Sequence, residues 1–71
     1  MHALGKYIHE HLMEKRIGVS NVAGEIEEGV VVMVDFLSDR GNYLVLRAEI
    51  APGREEDYAI QLDTISSIGP L

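Results

Sequence analysis

Leu4, Tyr7, Ile8, His11 and Leu12 recur at the i, i+3, i+4, i+7, i+8 spacing, with Lys6, His9 and Glu10 outside that stripe. The pattern predicts an amphipathic helix over about residues 3–16. Arg16-Ile17-Gly18 supplies a stop, with Gly18 at the left-handed position past the last turn and Lys15 and Arg16 beside the carbonyl end. Gly5 counts against the helix by about 1 kcal/mol relative to alanine. No Ser, Thr, Asp or Asn precedes the stripe, which predicts a frayed start.

Beyond Gly18 the period shortens. Val19–Ile26, Gly29–Leu37, Tyr43–Ile50, Tyr58–Leu62 and Ile65–Ile68 read as five short strands. They are parted by Glu27-Glu28-Gly29, Ser38–Asn42, Ala51–Arg54 and Asp63-Thr64, all rich in turn formers. Two strands alternate cleanly: Leu44, Leu46, Ala48 and Ile50 share one face, and Tyr58, Ile60 and Leu62 oppose Ala59 and Gln61. In the second strand Val30, Val32, Val34 and Phe36 are expected in the core. That arrangement leaves Val31 and Met33 on an opposite face, to be covered by the helix or by a neighbouring subunit. The expected fold is mainly β with one N-terminal α-helix, a single domain in which residues 19–69 curl into a small five-stranded antiparallel barrel. An open sheet with the helix packed across it is the other arrangement considered.

Composition narrows the partners. The 71 residues carry six Lys+Arg against twelve Asp+Glu, and the excess acid lies beyond residue 18, where the net charge is −7. Nucleic-acid affinity comes mainly from Lys and Arg on phosphate, so this balance disfavours RNA and excludes a large phosphate-binding surface. Cysteine is absent, and the longest apolar run, Val30–Val34, is far below the roughly 20 residues of a membrane span. These features predict a cytoplasmic protein without membrane contact. A chain this short, without disulfides, also commonly needs a partner subunit for stability.

Gly24, Gly29, Val31, Val34 and Asp35 stand at the spacing of the first motif of Sm-like proteins, and Ile65-Ser66-Ser67-Ile68-Gly69-Pro70 is similar to the end of the second motif in Hfq-type members. In order of elements the chain resembles that family throughout. The resemblance implies an Sm-like (SH3-like) barrel, assembly into a homo-oligomeric ring through edge strands, and RNA as a ligand. It implies nucleic-acid contacts at Asp35 and Asn42, with Tyr43 stacking on a base. Val31, Met33, Tyr58, Ile60 and Leu62 are the expected subunit interface. The chain departs from the family at Asp39, where the pattern has asparagine, and at Gln61-Leu62-Asp63, where it has a cation or histidine.

The remaining candidate chemistry is thin. His9 and His11 lie about 200° apart on a helix and cannot converge on one ion, so no metal or cofactor is expected. Asp35 interrupts an apolar run and reads either as a nucleotide contact or as an outward carboxylate paired with Arg40 or Arg47. Glu25/Glu27/Glu28 and Glu55/Glu56/Asp57 read as solvated loop charge, or as docking points for a basic protein partner, which would make the chain a protein-interaction module. No nucleophile motif or phosphate loop is present, and no enzyme activity is expected.

Overall fold

The computed structural model describes all 71 residues, Met1–Leu71. One helix, α1 (Ala3–His11), precedes five strands: β1 (Arg16–Asn21), β2 (Ile26–Asp35), β3 (Tyr43–Ala51), β4 (Arg54–Gln61) and β5 (Ile65–Pro70). A single 3-10 turn, Leu62–Thr64, links β4 to β5. All pairings are antiparallel, in the order β4-β3-β2-β1-β5. No ladder joins β4 to β5, so hydrogen bonds do not close the sheet.

β2 is the hinge of this sheet. Its first half pairs with β1, from Ser20↔Ile26 to Arg16↔Val30, and its second half pairs with β3, from Val30↔Arg47 to Asp35↔Tyr43. At the crossover sits Gly29, where a Cβ would lie 2.8 Å from the Arg47 carbonyl oxygen. Two residues on, the register shifts between Val31 and Met33. The extra residue of this bulge breaks strict alternation and sends the neighbours of Val32 to different sides. Val31 is therefore fully buried, whereas Met33 is 47% exposed. The sequence-based placement of Val31 outside the core is corrected by this bulge, and Val30, Val32, Val34 and Phe36 are half-buried.

The core joins Ile8 of α1 and Leu12, just past its end, to Ile17 and Val19 of β1, Val31, Leu44, Leu46 and Leu62. Burying each such aliphatic side chain contributes about 1.5–3 kcal/mol, so this small cluster holds most of the fold together. Alternation in β3 and β4 follows the expected faces near the core, with Leu44 and Leu46 buried and Tyr58 and Ile60 half-buried, but not at the far end of β3, where Ile50 is exposed. The helix stripe is narrower than expected: Ile8 and Leu12 are buried, Leu4 packs partly, and Tyr7 is half exposed with its ring 4.9 Å from that of His11.

Three boundaries differ from the sequence-based expectation. The helix ends at His11 because the chain reverses at Glu14, which takes a positive φ of 63°. The Glu14 N–H then donates to Val31 O, and the Val31 N–H to Lys15 O. Gly18 consequently lies inside β1 rather than at a helix cap. The β1–β2 turn falls at Val22–Glu25, where the Asn21 side chain accepts from the Ala23 and Glu25 N–H groups at 3.0 Å and Gly24 has a φ of 84°. Glu27-Glu28-Gly29 is thus strand, not turn. Finally, the helix start is capped: His2 Nδ1 accepts from the Gly5 N–H at 3.3 Å, and the His2 N–H donates to Phe36 O at 2.8 Å.

Candidate nucleic-acid interface

The β2–β3 loop, the 3-10 turn and the residues before α1 meet around a cleft of about 330 Å³ lined by Met1, His2, Ser38, Asp39, Arg40, Asn42 and Asp63. Backbone hydrogen bonds set its walls. Asn42 O accepts from the Leu62 N–H at 3.1 Å, tying the loop to the turn. His2 bridges the other side, with Nε2 3.0 Å from Asp63 Oδ1. Because Nδ1 accepts from the Gly5 N–H, Nε2 is the nitrogen that donates to the Asp63 carboxylate.

Asp35 stands below this cleft as a brace. Its Oδ1 accepts from the Leu37 N–H at 3.2 Å and its Oδ2 from the Ser38 hydroxyl at 2.7 Å, fixing the first bend of the loop. The Ser38 hydroxyl, together with backbone N–H groups of Leu37 and Ser38, holds its carboxyl below the usual aspartate range despite an opposing desolvation cost. Pairing with Arg47 does not occur, since that guanidinium grips Asp57 at 2.9 and 3.2 Å. This two-point bond lowers the Asp57 pKa and raises that of Arg47.

Asn42 is the one expected nucleic-acid contact that lines the cleft. Its Oδ1 is buried and has no hydrogen-bond partner. Tyr43 pairs with Asp35 and Gln61 in the sheet and lies outside the cleft lining. The arrangement brings Asn42 together with Asp39, Arg40, Asp63 and His2, a mixed set of hydrogen-bond donors and acceptors. Sequence reading gave His2 no role, because histidine is not a usual cap and its partner lies 61 residues away. His9 packs 5.0 Å from the Phe36 ring, apart from His11, and no group of three His, Cys, Asp or Glu is arranged to hold a metal ion.

The expected interface residues separate by burial. Met33, Tyr58 and Ile60 retain exposed surface, with the Tyr58 hydroxyl donating to Glu56 at 3.3 Å. Burial from water, then the carboxylates of Glu56 and Glu27, hold the Tyr58 phenol above its ordinary range. Val31 and Leu62 are 0% and 1% exposed, so both belong to the core of the chain itself and offer no surface to a neighbour. No helix is long and apolar enough to cross a membrane. No protein-family model, curated protein or solved structure matches this chain.

The two depressed aspartates fix a sign for pH dependence. Each has a lower pKa folded than unfolded, so its contribution is present above the unfolded value, about 3.9, and is lost as pH falls through the folded value. Thermal unfolding followed by circular dichroism is expected to show a melting temperature that drops below pH 4. Asp57→Asn should flatten that drop; an equally steep fall in the variant would show that Asp57 contributes nothing to it.

Proposed function

We propose that this chain is a non-catalytic, Sm-like scaffold that assembles head to tail into a homo-oligomeric ring and binds RNA through bases rather than phosphates. The observation that supports it is the strand order: β4 and β5 are the two ends of one sheet, and each is paired on one side. An edge strand carries a row of unpaired N–H and C=O groups that templates another strand. Two different open edges on one molecule favour a heterologous contact, which closes into a ring when the rotation between copies permits. β4 of one copy on β5 of the next covers the half-exposed Tyr58 and Ile60 and lengthens a thin core. Within each copy, the Asn42 cleft is the base-binding site, while the net charge of −6 keeps the phosphate backbone at a distance.

Size-exclusion chromatography with light scattering, run on untagged protein over a concentration series, tests the assembly. A stable species several times the 7.9 kDa subunit mass is expected, and a clean monomer at every concentration sinks the ring. Fluorescence anisotropy with short A-rich and U-rich RNAs at low salt tests the ligand. Binding weakened by Asn42→Ala is expected, and no binding by micromolar protein removes RNA from the proposal.

A further inference from the structure

The far end of the β3–β4 hairpin stands apart from the rest of the sheet. Pairing between β2 and β3 stops at Val30↔Arg47, so Ala48–Ala51 have no strand partner other than β4. Across from them, Arg54, Glu55, Glu56 and Asp57 form the outer border of the sheet, all exposed. Glu49 and Glu55 are direct cross-strand partners, a like-charge pairing that disfavours the hairpin. Neither is in an ion pair, whereas Asp57 is held by Arg47 and Glu56 lies 4.0 Å from Arg54. The border therefore combines free backbone hydrogen-bonding groups with one unmatched carboxylate, Glu55, which faces the equally unpaired Glu49 across the hairpin.

We infer that the Arg54–Asp57 border of β4 is a docking strip for an extended, Lys- or Arg-bearing segment of a partner protein, which adds a strand to the sheet beside Glu55 and Glu56. Strand addition supplies affinity through main-chain hydrogen bonds, and alternate side chains supply specificity. A second copy of this chain does not provide the matching charge. Of its two open strands, Ile65–Pro70 has no cation and ends in a proline without an N–H, and β4 brings the single Arg54 with the three carboxylates Glu55, Glu56 and Asp57. The Lys15-Arg16 pair adjoins β1, which is already paired on both sides. The six residues of β5 also fall short of the eight in β4, so a ring contact at Tyr58–Gln61 leaves the acidic border open. The docking strip thus stands whether or not the ring forms.

The probe is a fluorescein-labelled octapeptide, Lys-Thr-Lys-Val-Lys-Thr-Lys-Val, compared by anisotropy at low ionic strength with Lys-Pro-Lys-Val-Lys-Pro-Lys-Val. The two carry equal charge, but the prolines prevent strand pairing. The first is expected to bind about tenfold more tightly, and Glu55→Gln/Glu56→Gln to weaken it by about tenfold. Glu10→Gln/Glu14→Gln, which removes the same charge elsewhere, should leave binding unchanged. Amide exchange should slow within Arg54–Asp57 on binding. Equal affinity for the two peptides, equal losses in the two variants, or no binding at millimolar peptide would each overturn the docking strip.

Discussion

Gly5→Ala is expected to lower the melting temperature by roughly 10 °C, although alanine is the better helix former by about 1 kcal/mol. Gly5 is where α1 passes close to Phe36, just beyond β2, and to Leu62 of the 3-10 turn. A Cβ there would lie 2.5 Å from Phe36 Cβ, 2.9 Å from Leu62 Cδ1 and 3.3 Å from Phe36 Cα. Phe36 Cβ cannot swing aside without moving the backbone, and Leu62 is itself buried, so the helix must lift off its seat. Overpacking of this kind costs about 1–3 kcal/mol, and the helix cannot retreat freely while His2 ties its first turn to Phe36 and Asp63. Thermal denaturation measures the outcome directly. An unchanged or raised melting temperature would show that the close approach is absent.

Val31→Asp and Met33→Asp form the second test, because a regular strand would place both residues on one face. The bulge separates them, leaving Val31 without exposure and Met33 nearly half exposed. A carboxylate at Val31 has no partner in the aliphatic core, and the cost of several kcal/mol rivals the roughly 4–10 kcal/mol total stability of a domain this size. Val31→Asp is therefore expected to leave the chain unfolded at room temperature by circular dichroism. Met33→Asp should fold, losing about 1 kcal/mol for its half-buried apolar surface. Similar behaviour of the two variants would return Val31 to the outer face.

Regular parts of the fold were readable from the chain. Period-two alternation put Leu44 and Leu46 on one face of β3, which is buried, and grouped Tyr58, Ile60 and Leu62, which it gave to a subunit interface although Leu62 is core. β2 was not readable, because it serves two neighbours in succession and carries a bulge, and its valines have no polar partners to mark the change of side. Gly29 read as punctuation, yet its small size answers the crossing backbone of β3. The reversal after α1 was missed because the left-handed position is held by a glutamate rather than the nearby glycine. At the cleft, Asn42 was within reach of pattern, whereas His2 was not: its role arises from contacts with Phe36 and Asp63 that fold brings together.

The strand order also dictates how the domain comes together. β1–β2, β2–β3 and β3–β4 are sequence neighbours joined by short connections, the last through Pro52-Gly53 alone. β5 instead returns to β1, matching Ile17 with Pro70 and Asn21 with Ile65. Loop-closure entropy rises with the length of chain enclosed, so this pairing becomes favourable once the three hairpins have shortened the path between its ends. β5 is accordingly expected to be the last strand to join and the first to leave. Its departure would uncover the β1 edge bearing Ile17 and Val19, an open template of the kind on which a strand from another chain can pair.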